Sequence, residues 1–181
     1  MIRRILVILM LTMFSGLCFA QTASFGIKGG VNLSNFIGED AERNSTKTGF
    51  IGGAFFCFNF TTFCIQPEIL YTQKGCVSDL IVTYNYVDIP VLVKIPLIRK
   101  YGVSPYLGPA VSLLANAKIA DFDISQYVNS PDLGLVLGGE IKTPFKISLD
   151  VRYTMGLRKI FNDYNDDIKH SVFSIMLGLH P

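Results

Sequence analysis

The sequence predicts an all-β chain: an eight-stranded antiparallel up-and-down transmembrane β-barrel preceded by a cleaved signal peptide. Three observations predict it. In residues 145–155, FKISLDVRYTM, the apolar Phe145, Ile147, Leu149, Val151, Tyr153 and Met155 alternate with Lys146, Ser148, Asp150, Arg152 and Thr154. A period of two sends one set to each face of a strand. Segments of this kind recur along the chain, and the chain begins with an export segment. Apolar outside and polar inside is the pattern of a membrane barrel.

Residues 1–20 form the export segment. Arg3 and Arg4 supply the positive region, residues 5–14 an apolar run interrupted only by Thr12, and Cys18, Phe19 and Ala20 a cleavage site that leaves Gln21 first. The run falls short of the ~20 apolar residues of a spanning helix. Leu17 before Cys18 is not the small residue that lipidation prefers. Residues 21–181 are then one barrel domain. No later segment is apolar enough for a membrane helix, and a helix-free chain crosses hydrocarbon only as a closed barrel, because lipid satisfies no backbone polar group. A formal charge of +2 without a lysine and arginine cluster argues against nucleic acid.

Eight extended segments follow from the turn residues: 23–36, 47–58, 63–75, 82–95, 102–117, 130–142, 145–157 and 169–180. The connections run long (37–46), short (59–62), medium (76–81), short (96–101), long (118–129), very short (143–144) and long (158–168). Such alternation fits tight periplasmic turns and longer extracellular loops, with both termini in the periplasm.

Faces can be assigned in most strands. Phe25, Ile27, Val31 and Leu33 point outward, against Lys28, Asn32 and Ser34. Ile65, Ile69 and Tyr71 oppose Gln66, Glu68, Thr72 and Lys74; Val87, Ile89, Val91 and Val93 oppose Asp88 and Lys94. Leu133, Leu135, Leu137 and Ile141 face lipid while Asp132 and Glu140 face in, and Phe173, Ile175, Leu177 and Leu179 oppose Ser174 and Gly178. The second and fifth strands carry no clear pattern. Tyr71, Tyr106 and Tyr153 are candidates for an interfacial aromatic girdle, in a chain without tryptophan.

Eight strands enclose a lumen that side chains fill. Lys28, Glu68, Lys74, Asp88, Lys94, Glu140, Lys146, Asp150 and Arg152 are expected to meet there as a structural charge network, five cations against four carboxylates. Arginine at the lipid-facing position 149 is expected to harm the barrel more than arginine at the lumen-facing position 148.

The segments GIKGGVNLSNF (26–36), QPEILYTQKG (66–75), YVDIPVLVK (86–94), PYLGPAVS (105–112), GLVLGGE (134–140) and RYTMGL (152–157) stand in order. Together they resemble the PorT-like outer-membrane β-barrel family of the Bacteroidota over nearly the whole mature chain. The resemblance implies a barrel in the outer membrane of a Gram-negative cell, inserted by the barrel-assembly machinery. It also implies an association with type IX secretion for the founding member, and no catalytic motif. One departure is the ending Gly178-Leu179-His180-Pro181, where such barrels commonly close on an aromatic residue.

Other residue types bear on chemistry. Cys57 and Cys64 flank the 59–62 turn symmetrically and are a candidate disulfide in a compartment that permits one; Cys76 is the third cysteine of the mature chain. The three lack the C-x-x-C spacing and neighbouring histidine of a zinc site. The loop 161–170 presents Asp163, Asn165, Asp166 and Asp167 but lacks the glycine and distal glutamate of a calcium loop. His170 and His180 read as a strand flank and a terminal tail. No glycine run forms a phosphate cradle, and no serine, histidine and carboxylate set recurs in a nucleophile context.

The expectation is a non-enzymatic outer-membrane barrel without cofactor or metal. Its partners are lipid, the assembly machinery and, through the loops, surface or secretion proteins. Alternatives are a barrel that passes or holds a small solute, and a soluble periplasmic barrel of lipocalin type with its faces inverted.

Overall fold

The computed structural model describes residues 22–37, 45–77, 81–97, 102–119, 122–123, 130–157 and 169–180. The export segment 1–20 and the loop residues 161–168 lie outside the described residues, as do the side chains of Cys76 and His170.

Eight long strands are present: β1 (Thr22–Ile37), β2 (Ser45–Asn59), β3 (Cys64–Val77), β4 (Ile81–Lys94), β5 (Val103–Ile119), β7 (Asp132–Lys142), β8 (Ile147–Gly156) and β9 (Lys169–Leu179); the two-residue β6 (Phe122–Asp123) pairs only with the end of β5. Each long strand pairs antiparallel with the next along the chain. The β1–β9 ladder, from Ile27↔Leu179 to Ile37↔Lys169, closes the circle. Closure leaves no full-length sheet edge, which a wall facing lipid requires.

The wall is apolar outside. Phe25, Ile69, Leu137 and Leu177 are each about three-fifths exposed on the outer face, and every outward residue expected in β1, β7 and β9 is exposed. Lys28, Asn32, Gln66, Glu68, Asp150 and Arg152, on the alternate positions, are buried within the barrel. A lipocalin-type barrel needs the reverse arrangement, so that alternative falls. Close strand approach sets some inward positions: a Cβ on Gly30 would lie 1.9 Å from the Ile175 carbonyl oxygen of β9.

The two strands that carried no clear pattern each hold a bulge. Between Thr46 and Ile51, β2 holds one residue more than β3 does between Thr72 and Cys76. In β5, Ala115 has no counterpart between the pairs Asn85↔Asn116 and Tyr86↔Leu114. In β5 the extra residue shifts the alternation by one, from buried Ser112 to buried Ala117, whereas in β2 exposed Thr46, Thr48, Phe50 and Phe56 keep one phase. Apolar groups also line the lumen in both strands: Ile51 and Phe55 from β2, Tyr106 and Ala110 from β5.

Three further expectations change. β8 starts at Ile147, because the backbone of Lys146 turns left-handed (φ 64°) and ends the alternation; Phe145 and Lys146 belong to an exposed turn. The β3–β4 connection is only residues 78–80, shorter than the 95–102 connection at the opposite end, so the medium loop was largely strand. Beyond Ser112↔Asp132, its last pair with β7, β5 continues to Ile119 against β4, carrying a ribbon of β3, β4 and β5 past the rim at the long-loop end. Tyr106 is buried in the lumen and leaves the girdle, whereas Tyr71 stays outside, stacked on Phe50 with ring centroids 5.5 Å apart.

Candidate functional site

The alternation of each strand delivers its charges to one tube, and two-residue spacing puts pairs of polar groups side by side. β8 supplies Asp150 and Arg152; β3 supplies Gln66 and Glu68. Arg152 donates to both oxygens of Glu68 (2.8 and 3.2 Å) and to both of Asp150 (3.2 Å each). The Lys28 ammonium of β1 bridges the same two carboxylates, 2.8 Å from Glu68 and 2.9 Å from Asp150. Two cations and two carboxylates thus form a closed square across the lumen.

Neighbouring groups extend it. Gln66 donates to Glu68 Oε1 at 2.6 Å and accepts from Lys94 Nζ at 2.9 Å, and Lys94 pairs with Glu140 at 2.8 Å. The Tyr106 hydroxyl donates to Asp150 Oδ1 at 2.6 Å. Nearer the long-loop end, Lys74 reaches Asp88 at 3.1 Å and Ser112 at 3.3 Å. Each cation also lies against an aromatic ring: Lys28 on Phe55 (5.0 Å), Lys74 on Tyr86 (4.8 Å), and Lys94 and Arg152 both on Tyr106 (5.5 Å). Such contacts compensate desolvation of the charge. Eight of the nine expected residues therefore meet inside, in two groups; Lys146, held in its left-handed turn, is not among them. Tyr106 and Gln66 are members the sequence reading did not place in the network.

Cys57 and Cys64 are joined by a disulfide, with Cα atoms 6.2 Å apart. They are not opposite one another, since Cys64 pairs with Asn59, and the bridge runs diagonally. His180 is no loose tail: it is buried, its Nε2 lies 3.0 Å from Ser148 Oγ, and its ring meets Phe55 edge-on at 5.0 Å. Among the described residues no three histidine, cysteine or carboxylate side chains are grouped to hold a metal ion.

The chain matches the family model of the outer membrane protein beta-barrel domain over residues 19–162, in keeping with a closed barrel that is apolar outside. The chain belongs to that family. Its location is the outer membrane, where its apolar wall contacts lipid. Among solved structures it is similar to Neisserial surface protein A, at 15% identity and a TM-score of 0.60, covering 88% of this chain and 99% of that one. It is also similar to Ail, the attachment invasion locus protein of Yersinia pestis, at 16% identity and a TM-score of 0.54, covering 89% and 100%. A second Ail structure, in complex with the heparin analogue sucrose octasulfate, gives 16% identity, a TM-score of 0.58 and the same coverage. These likenesses show a shared fold. No curated protein sequence gives a significant match.

Proposed function

We propose that this outer-membrane barrel is a non-conducting, non-enzymatic protein that acts at its long-loop end, as a surface-binding or secretion-associated component. The observation that carries the proposal is the lumen: Lys28, Glu68, Asp150 and Arg152 lie across it with side chains almost wholly inaccessible. A solute would have to break paired, desolvated charges to pass. The same pairing leaves these carboxylates without an open face for acid–base work. The ribbon of β3, β4 and β5 beyond the rim offers a paired-strand surface for recognition outside the membrane. The shared architecture with Ail, a protein named for attachment, supports an adhesive role, and the resemblance to PorT-like proteins of the Bacteroidota supports association with secretion.

Planar-bilayer recording of porin-free protein tests the closed lumen. No porin-sized steps are expected, and stable ones that grow when Arg152 is changed to methionine would replace this reading with small-solute transport. Binding of the folded barrel to host or surface glycans, with and without the residues beyond the rim, then tests where it acts.

A further inference from the structure

The wall has a notch at its short-turn end. β9 ends at Leu179 opposite Ile27, whereas β1 begins at Thr22, so residues 22–26 pair with β2 on one side and with no described strand on the other. The chain after Leu179 bends inward: the His180 amide donates to the Lys146 carbonyl at 2.8 Å and its ring docks on Ser148. On the outer side this leaves a cavity of about 450 Å³, walled by Phe25, Ile27, Phe145 and Leu179, with His180 behind and Lys146 beside it. Phe145 is 84% exposed, more than any other large apolar residue described.

The chemistry of the lining selects a ligand. The walls are hydrocarbon and aromatic, while the one formal charge in the lining is the ammonium of Lys146. Lys142 begins the same turn and is exposed, and neither lysine forms an ion pair with a described residue. No carboxylate lines the cavity, so a choline or ethanolamine headgroup would bring its cation to Lys146 without a counter-charge. We propose that the notch binds an anionic phospholipid, with an acyl chain against Phe25, Ile27 and Leu179 and the phosphate held by Lys146. The choice of phospholipid rests on the reading that the short-turn end faces the periplasmic leaflet; the preference for an anionic headgroup rests on the lining alone.

The chain contains no tryptophan, so Phe145→Trp creates a single reporter that keeps an aromatic wall in place. The folded barrel, checked by heat-dependent gel mobility, would be placed in vesicles containing phosphatidylglycerol or phosphatidylcholine with brominated chains, and quenching compared. A preference of about five-fold for phosphatidylglycerol is expected in the Phe145→Trp variant, the effect of one interfacial lysine. Adding Lys146→Met should bring it near unity, Lys146→Arg should retain it, and a reporter at mid-wall, Leu137→Trp, should show none. Native mass spectrometry of the unlabelled protein in mixed lipid provides a second measurement, with a phosphatidylglycerol adduct lost on Lys146→Met. Equal quenching of the Phe145→Trp reporter by the two lipids, or a preference and adduct unchanged by Lys146→Met, would overturn the site. Both lipids occupy both leaflets of the vesicle, so the result does not depend on barrel orientation.

Discussion

Removing Arg152 should unbalance the lumen in a way that removing Lys94 does not. In the wild type, Glu68 and Asp150 share Arg152 and Lys28, two negative charges against two positive. Arg152→Met deletes four hydrogen bonds and leaves both carboxylates on one ammonium. Stranding a buried charge in this way costs roughly 3–5 kcal/mol. Glu68→Gln in the same background returns the pair Lys28–Asp150, 2.9 Å apart, to one charge each, and the amide oxygen can still accept from Lys28. The double variant should therefore recover about 2 kcal/mol, within the range seen for residues in one network. Lys94 touches Glu140 and Gln66 but meets Glu68 only through Gln66, so the Lys94→Met and Glu68→Gln cycle should show a coupling smaller than that of Arg152 with Glu68. Urea unfolding in detergent, followed by circular dichroism because the chain has no tryptophan, measures both cycles. Additivity in the Arg152–Glu68 cycle, or an equal coupling in the Lys94–Glu68 cycle, would refute this reading of the network.

The structure also revises the expected contrast between positions 149 and 148. Leu137, midway along β7, should cost ~2–4 kcal/mol when replaced by arginine, and Leu149, two residues from the end of β8, should cost less. Ser148→Arg should not be benign, since Ser148 is fully buried against His180; the yield of folded protein ranks all three. Gly30→Ala should lower the urea midpoint sharply, because a Cβ would lie 1.9 Å from the Ile175 carbonyl oxygen. Gly29→Ala, whose nearest atom would be 3.7 Å away, should leave it nearly unchanged. Burial, then the charge of Lys142, lowers the pKa of His180 just beyond β9 to about 4. The unfolded chain takes up that proton from about pH 6.5, so this contribution to stability is complete above 6.5 and is lost as pH falls toward 4. Unfolding at pH 7.5 and 4.5 should show a smaller acid loss in His180→Gln than in the wild type.

The faces of β1, β3, β7 and β9 were legible because an unbroken period of two needs no knowledge of neighbours. β2 was not, since Ile51 and Phe55 enter the lumen while Phe50 and Phe56 face out, and β5 was not, since its bulge shifts the phase and the Tyr106 ring enters the lumen. Tyr106 shows the second cause: tyrosine serves an interfacial girdle and a lumen equally well by type. The parity of Leu107, Pro109, Val111 and Leu113 was the available sign that Tyr106 lies on the other face. Lys146 was misplaced because the turn before Ile147 puts a lysine at positive φ where a glycine would have announced it. Inward charges could be found from the pattern, but their partners could not. Which cation meets Glu68 depends on strand stagger around the barrel, and Gln66, read only as an inward polar residue, proved to be the link between Lys94 and the central square.

Paired charges in a lumen that apolar side chains could fill require a reason, because a buried ion pair is seldom more stable than well-packed hydrocarbon. Facing supplies one. In a strand apolar on both sides, a slip of one residue exchanges the two faces at little cost, and register is poorly specified. With Lys28 on β1, Glu68 on β3, and Asp150 and Arg152 on β8, the same slip carries a charge to the lipid side of the wall. Near the bilayer midplane a displaced arginine or lysine costs ~2–4 kcal/mol, comparable to a whole double-mutant coupling. The square is then a register device as much as a plug: it penalises the wrong alignment of three separate strands at once. That also accounts for its composition, because the aromatic rings of Phe55 and Tyr106 fill the lumen around the charges without removing the polarity that distinguishes inside from outside.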